Sequence, residues 1–402
     1  KNNKFSLSKY YSLKSGNNIS YDKDEFLYKF NQTIKLHLDS DVKLAFLLSG
    51  GLDSSSIVAS AKLFKKQIKA FSITPKFTFD ETSLINDFVR KKKINHQFIN
   101  IEKKIDVEAL KKVLYFQDEP FHGTDGIYQF FLIHQIKNQS YKVLLSGDGA
   151  DEIFGGYNRM FLYYMASLYK ENYIKKFDEI ISSRKLNKSK VIQNVKYLLN
   201  NIKKNKSDFE NNVAFKYLNK YKASDLNRIN KLKWNNLINA KGDIFKKTLK
   251  NSIFTNDLQM ALRMIDRNSM SASIENRSPF LDHEFIEYIL SIKTEDFFKN
   301  GLSKGMLRNS IKDLNTEKIV NQKIKSGRPG SDQYFINKIV KKDFISKIYE
   351  SKLEDYGFDI KKIVKSLKNL NNLKQKSKIN KSTNESNFFF RLYSYILWSK
   401  HI

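Results

Sequence analysis

Two glycine-rich stretches, each combining hydroxyls and acids at close spacing, hold the residues of this sequence best suited to chemistry on phosphates. The first is Ser49-Gly50-Gly51-Leu52-Asp53-Ser54-Ser55. Paired glycines let a backbone approach an anion closely, and a helix start presents unpaired N–H groups and the positive end of its dipole. The serine hydroxyls add donors, and Asp53 adds a carboxylate able to hold a magnesium ion between phosphates. A phosphate site is the functional reading; an ordinary glycine turn before a buried helix is the structural one. The common P-loop places a Lys-Ser/Thr pair after its last glycine, and this stretch has neither that lysine nor that spacing.

The second stretch is Ser146-Gly147-Asp148-Gly149-Ala150-Asp151-Glu152-Ile153-Phe154-Gly155-Gly156-Tyr157, with three acids within five residues and four glycines in all. Carboxylates clustered beside a phosphate site repel one another unless a cation lies between them. Asp53 and Asp151 are therefore candidates to share one or two magnesium ions on a pyrophosphate. An acidic surface turn is the alternative, and it does not account for so many glycines.

A third stretch, Asp266-Arg267-Asn268-Ser269-Met270 followed by Glu275-Asn276-Arg277-Ser278-Pro279-Phe280-Leu281-Asp282, sets acids, arginines and a proline-defined turn close together. Either the arginines orient a substrate by bidentate pairing or the charges fix a loop; the residues alone favour neither. Two basic turns follow. Gly301-Leu302-Ser303-Lys304-Gly305-Met306-Leu307-Arg308 places Lys304 at a helix start, and Lys323-Ile324-Lys325-Ser326-Gly327-Arg328-Pro329-Gly330 offers further cations. Each lysine could steady phosphate charge, although a lysine in so basic a chain is more often a solvated surface residue.

These residues need a frame. The runs Lys43–Leu48, Gln67–Thr74, His96–Ile101 and Lys142–Leu145 read as strands, and Tyr21–Leu38, Ile57–Phe64, Thr82–Lys92 and Val107–Phe116 as helices. Strands alternating with helices at this spacing predict an α/β fold, a parallel doubly wound sheet with helices on both faces. Ligands gather at the carboxyl ends of such strands, which is where the first glycine stretch lies. From about residue 160 to 255 glycine nearly vanishes while Lys, Asn, Leu and Tyr recur at helical intervals, predicting a large helical portion whose Tyr and Leu stripes are core. The last stretch reads as helices, ending in the apolar Phe388–Trp398, which must pack on something. The expected organisation is a linker or docking segment over 1–20, an α/β core over 21–160, a helical insertion over 161–260, a site-completing segment over 261–335 and a helical tail over 336–402.

Composition narrows the class. With 402 residues the chain can bury real cores, and no run of about 18 apolar residues implies a membrane span. The first residue is Lys1 and no signal-peptide pattern follows, so the expectation is a portion of something longer, in a cytoplasmic setting. The absence of cysteine excludes disulfides, thiolate metal sites and a cysteine nucleophile, and the six histidines show no ligand spacing. A net charge of +30 admits nucleic-acid binding, but lysine is spread along most of the chain, which favours dispersed solvated faces.

The Ser-Gly-Gly-x-Asp-Ser pattern resembles the pyrophosphatase loop of the ATP pyrophosphatases. The two glycine stretches, the Asp-Arg-x-Ser-Met segment and the Glu-x-Arg-x-Pro-Phe-Leu-Asp segment, together and in order, resemble the synthetase domain of glutamine-dependent asparagine synthetase over roughly residues 10–335. The Gly-Asp-Gly-Ala-Asp-Glu-x-Phe-Gly-Gly-Tyr run is the most specific element. The resemblance implies an adenine-nucleotide α-hydrolase-like fold, ATP and Mg2+ as cofactors, and adenylation of a substrate carboxylate followed by attack of ammonia to give an amide, AMP and pyrophosphate. It implies that Ser49, Gly50, Gly51, Asp53, Ser54 and Ser55 bind pyrophosphate and that Asp53 and Asp151 hold magnesium. Leu47, Ile73, Ser146 and Gly147 are implied to contact adenosine, and Lys304 to bind pyrophosphate. Lys325 is implied to stabilise charge on the α-phosphate, with Lys323 as the alternative. Asp148 stands where asparagine synthetases often carry Glu, and Lys323 and Arg328 replace an arginine and a phenylalanine; both changes bear on the acceptor carboxylate rather than on adenylation.

The implied partners are a small-molecule carboxylate, aspartate by default, and ammonia. The family's glutaminase half, with its cysteine nucleophile, is not in this sequence, and Tyr10-Tyr11-Ser12-Leu13-Lys14 resembles the linker that follows it, so an upstream glutaminase domain is expected. A homodimer is compatible with the resemblance. A cyclase or amidotransferase acting on a sugar acid, a peptide or another carboxylate is the nearest competing activity. An RNA-modifying enzyme of the same loop superfamily fits the basic charge but not the second glycine stretch, and no RNA-binding module is recognisable.

Overall fold

The computed structural model describes residues 6–14, 18–73, 81–101, 105–203, 220–221, 242–254, 256–299, 301–322, 331–370 and 379–400. Its frame is a five-stranded parallel sheet of β1 (Leu44–Leu47), β2 (Lys69–Ile73), β3 (Asn95–Ile99), β4 (Val143–Leu145) and β5 (Glu275–Arg277), in the spatial order β3-β2-β1-β4-β5. The chain builds outward from β1 to β3, then returns to lay β4 against the other side of β1. The strand order therefore reverses between β1 and β4, and a crevice opens outside their carboxyl ends.

Alternation along the strands sends side chains into two cores. Phe46 and Leu145 join one, while Ala45, Phe71 and Leu144 join the other. Both faces are covered, so β1 and β4 at the centre are apolar throughout. On the first face lie α1 (Lys23–His37), α2 (Leu52–Phe64) and α3 (Thr82–Lys92); on the second lie α4 (Val107–Gln117) and α5 (Asp125–Lys137). The doubly wound α/β expectation holds.

Helix α1 shows how local sequence sets an element. Asp22 caps its start by accepting from the Glu25 N–H at 2.8 Å, and acids in the first turn and Lys35 and His37 in the last suit its dipole. Phe26, Phe30 and Ile34, four residues apart, form a fully buried stripe. Each contributes about 1.5–3 kcal/mol by burial.

Two elements differ from the sequence reading. The sequence pattern predicts no helix within residues 118–141, yet α5 lies there; it is buried on most sides, so its apolar residues leave no amphipathic stripe. The third stretch contains β5, three polar residues joined to β4 through backbone hydrogen bonds that composition does not report. The sheet thus draws its fifth strand from a segment well beyond the other four.

After α6 (Ala150–Phe154), the predicted helical stretch contains α7 (Asn158–Lys170), α8 (Ile174–Ser183), α9 (Lys188–Lys203) and the helix Ile244–Phe254 among its described residues. The final helix, Ile379–Trp398, packs as expected: Phe389, Phe390 and Tyr393 are fully buried in the second core, with Phe390 edge-on to Phe121 and Phe335. The expected docking segment lies on the helix His283–Ser291, where the Tyr11 hydroxyl and the Lys14 N–H both donate to Glu287 Oε1, at 2.7 and 2.8 Å. Among the described residues no helix is long and apolar enough to cross a membrane.

Candidate active site

Both glycine stretches fall at the carboxyl ends of neighbouring strands, the first after β1 and the second after β4. Gly50 takes a left-handed φ of 78°, which glycine adopts without the Cβ penalty, and Gly51 caps α2 in an extended conformation. No side chain occupies that cap, so the first N–H groups of α2 face the loop. The two stretches touch directly. A Cβ on Gly147 would stand 3.0 Å from the Ser54 nitrogen and 3.1 Å from Asp53 Cβ, so residue 147 is glycine because α2 begins against it.

The serines divide into two groups. Ser49 and Ser54 join hydroxyl to hydroxyl at 3.1 Å, and the Ser49 hydroxyl accepts from the Gly51 N–H at 3.3 Å, which pins the loop's curvature. Ser55 is fully buried; its hydroxyl donates to the Gly51 carbonyl at 2.8 Å and accepts from Asn315 Nδ2 at 2.9 Å. The structure therefore does not bring the Ser55 hydroxyl to the open side of the loop. Its role here is to tie the segment around residue 315 to the start of α2. Sequence reasoning missed Asn315, for which no local pattern exists.

Lys304 joins the whole site. Its Nζ donates to both oxygens of Asp53, at 2.6 and 2.7 Å, and lies 2.6 Å from Asp151 Oδ1. All three side chains are largely withdrawn from solvent, with 7%, 19% and 9% exposed for Lys304, Asp53 and Asp151. The lysine emerges from a left-handed residue (φ 57°) that caps the helix Gly305–Ile311. Non-glycine residues rarely hold that conformation, and they persist in it where the surroundings over-determine it. Those surroundings are visible. The Gly305 N–H donates to the Phe297 carbonyl at 2.8 Å, Arg308 Nε donates to the Ser303 carbonyl at 2.9 Å, and a Cβ on Gly305 would meet the Lys299 nitrogen at 2.3 Å.

Gly156 completes the cradle. A Cβ there would meet Asp151 Oδ1 at 1.9 Å and Lys304 Cε at 2.4 Å. The second glycine of the Gly155-Gly156 pair thus exists to let the lysine stem reach the acid. Next to this cluster, Glu152 is buried and accepts from the Tyr157 hydroxyl at 2.6 Å; burial pushes its carboxyl up, against the pull of that hydrogen bond.

Two carboxylates that converge on one ammonium form a site for a cation. Among the described residues no group of three or more His, Cys, Asp or Glu side chains gathers. A magnesium ion held by Asp53 and Asp151 would therefore complete its shell with phosphate oxygens and water, which is how Mg2+ commonly binds beside polyphosphates.

Asp148 lies on the other side of Gly147. Its Oδ2 accepts from the Ser146 hydroxyl at 2.7 Å, and Ser146 stands 3.4 Å from the Ser278 hydroxyl, to which Asn276 Nδ2 donates at 3.3 Å. Leu47 and Ile73 end β1 and β2, each half-buried against the second core, so their backbones border the crevice. Lys323, Lys325 and Arg328 lie outside the described residues.

The third stretch resolves in favour of the structural reading. Arg277 donates through Nη1 to the carbonyls of His37 and Asp39 at 2.9 and 2.6 Å, closing the carboxyl end of α1, and through Nε to Glu275 at 2.7 Å. Arg267 donates to the Phe116 carbonyl at 3.3 Å, near the end of α4. Asn268 is fully buried, accepting from Gln117 at 2.8 Å and donating to Gln129 at 2.9 Å. The turn Pro279–Leu281 sets the second stretch: Leu281 Cδ2 lies where a Cβ on Gly149 would be 2.2 Å away, and Phe280 stacks on Phe30 at 5.3 Å.

Comparison with known proteins agrees with this geometry. The family model described as asparagine synthase matches residues 25–388. The glutamine-hydrolyzing asparagine synthetase 1 of Bacillus subtilis is 27% identical over 360 residues, covering 81% of this chain and 52% of that protein. Asparagine synthetase 2 of the same organism is 26% identical over 279 residues, 67% of this chain and 33% of that protein. Asparagine synthetase B of Escherichia coli is 29% identical over 153 residues, 34% of this chain and 27% of that protein. This chain spans about half the length of the first of these relatives and less of the others.

Proposed function

This chain belongs to the asparagine synthase family, and from that premise we propose that it is an ATP-dependent amide-forming ligase whose default acceptor is L-aspartate. The observation that carries the reading is the convergence of Asp53, Asp151 and Lys304 within 2.7 Å contacts, over the glycine loop at the reversal of strand order.

The backbone of Gly50 and Gly51 and the first N–H groups of α2 receive the β- and γ-phosphates, with Ser49 and Ser54 holding the loop in shape. Asp53 and Asp151 would hold Mg2+, which would supply positive charge beside the pyrophosphate. A carboxylate oxygen of the acceptor attacks the α-phosphorus, the bond to the bridging oxygen breaks, and pyrophosphate leaves with the electron pair. Lys304 follows that charge on the leaving side, and Lys325 (or Lys323) meets the charge on the α-phosphate. These are positioned cations, the main catalytic device for transfer at phosphorus.

Ammonia then attacks the acyl carbon, AMP departs with the C–O electron pair, and one proton is lost as the amide forms. Asp148, whose carboxylate accepts from the Ser146 hydroxyl, is assigned to the acceptor side of the crevice. The relatives are glutamine-hydrolyzing enzymes, and this sequence contains no cysteine. Ammonia therefore comes from a glutaminase unit elsewhere or from solution.

The test is ATP–pyrophosphate exchange with magnesium, with L-aspartate set against a panel of other carboxylic acids. Exchange dependent on aspartate, with asparagine and AMP formed once ammonia is added, supports the full reading. Exchange with a different acid keeps the ligase chemistry and replaces the substrate. Absence of exchange with every acid refutes the adenylating activity. Lys325→Ala should slow exchange by orders of magnitude at nearly unchanged ATP affinity; if Lys323→Ala does so instead, the roles of the two lysines are reversed.

A further inference from the structure

Lys304 stands where a divalent cation shared by Asp53 and Asp151 would have to stand. Its ammonium is within 2.7 Å of both Asp53 oxygens and 2.6 Å from Asp151 Oδ1. A metal ion directed to the same oxygens would meet a like charge only a few ångströms away, in a site with little solvent to screen it. The ammonium and a metal between these acids exclude each other.

The placement is built into the fold. Gly156 is cut back so that the lysine stem can reach Asp151. The backbone of residue 304 is held left-handed by the turn that Gly305 and Arg308 fix, so a relocation of the ammonium falls to the side chain alone. Lysine suits such a swing, being a compact charge on a flexible four-carbon stem. Asp53 is the second residue of α2, so an ammonium on Asp53 already borders the loop that would receive phosphate.

We propose that Lys304 is the resident counter-ion of the Asp53–Asp151 pair in the nucleotide-free protein, that it bars free divalent metal from the pair, and that metal enters only together with a polyphosphate. The proposal rests on the reading of this crevice as a nucleotide site. The exchange balances. The acids give up one positive charge and gain two, while the polyphosphate oxygens take the ammonium. Neither half proceeds alone, because withdrawing the lysine without a replacement would take from two largely buried carboxylates the ammonium they share. Metal and nucleotide therefore bind as one unit, and magnesium alone does not charge the site.

The test is Mn2+ binding, followed by electron paramagnetic resonance on the unliganded chain and again with α,β-methylene-ATP, which cannot be cleaved between its α and β phosphates. Wild type should bind Mn2+ weakly alone and much more tightly with the nucleotide. Lys304→Met keeps the stem and removes the charge, and should tighten nucleotide-free Mn2+ binding by about tenfold or more; Lys304→Arg should leave it weak. Tight Mn2+ binding to nucleotide-free wild type that disappears in Asp151→Asn would overturn the proposal, as would unchanged affinity in a folded Lys304→Met. Should that variant not fold, Lys304→Gln, which also removes the charge and keeps most of the stem, takes its place in the comparison. Failure of the nucleotide to bind wild type at all overturns the nucleotide-site reading itself, whereas nucleotide binding that leaves Mn2+ affinity unaltered overturns the counter-ion role only.

Discussion

Gly156→Ala should separate stability from activity at this site. The added methyl meets Asp151 Oδ1 at 1.9 Å and Lys304 Cε at 2.4 Å, whereas an ordinary contact begins near 3.4 Å, so the acid must retreat by about 1.5 Å and the lysine by about 1.0 Å. Both are outer atoms of side chains, and residue 156 has no left-handed φ, so the backbone can stay where it is. The overpacking penalty of about 1–3 kcal/mol is partly offset by the roughly 0.4–1 kcal/mol gained when alanine restricts the unfolded chain. A net loss near 1 kcal/mol lowers Tm by about 2–4 °C or less in a chain this long. The atoms that move, however, carry the cation site, and a displacement of about 1 Å at a reacting centre costs on the order of a hundredfold in rate. Gly305→Ala should show the opposite balance, because its methyl would strike the Lys299 backbone nitrogen at 2.3 Å and the turn itself must give way. Thermal unfolding and ATP–pyrophosphate exchange on the same preparations check both variants. A folded Gly156→Ala protein exchanging at the wild-type rate would refute the claim that activity depends on where Asp151 and Lys304 stand around residue 156.

Asp53→Asn and Asp151→Asn should each lower pyrophosphate exchange by about two to three orders of magnitude while circular dichroism stays native, since each removes a group aimed at developing charge; wild-type rates in both would remove the metal assignment. Arg277→Ala should destabilise the chain by about 1.5–3 kcal/mol through loss of charged hydrogen bonds to the end of α1, with the KM for the acceptor unchanged; a raised KM without a change in Tm would instead favour substrate orientation. His96 packs against Ser72, 2.7 Å from its hydroxyl, and burial pushes its imidazole down from 6.5 to about 4, so the folded state holds it neutral. The stabilisation from the neutral ring is complete above pH 6.5 and is lost as pH falls from there towards 4, where the slope ends. His96→Gln should flatten the stability–pH profile across that window, by about 1–3 kcal/mol in total, as read from denaturant midpoints; an unchanged slope would remove His96 as its source.

What the sequence made legible follows from which atoms do the work. The loops after β1 and β4 were visible because an anion cradle needs glycine at particular chain positions, and a backbone requirement leaves a local mark. The sheet was visible most plainly through β1 and β4, which are apolar because both of their faces are covered. β5 was not, because Glu275, Asn276 and Arg277 enter the sheet through main-chain bonds while their side chains answer to other demands. The arginines show the same limit. Arg277 and Arg267 look like substrate ligands until the carbonyls of His37, Asp39 and Phe116 are brought to them from distant parts of the chain. Lys304 is the sharpest case, since in a chain of net charge +30 nothing local separates it from a surface lysine, and family resemblance alone singled it out. Resemblance assigned it to phosphate; the fold adds two carboxylates and a glycine shaped to its stem. Under the counter-ion proposal those two roles belong to successive states of one side chain, and a lysine that must serve acid and phosphate in turn has to be long, flexible and singly charged. Arginine, with a rigid fork matched to one carboxylate at a time, would hold the first state too firmly to reach the second.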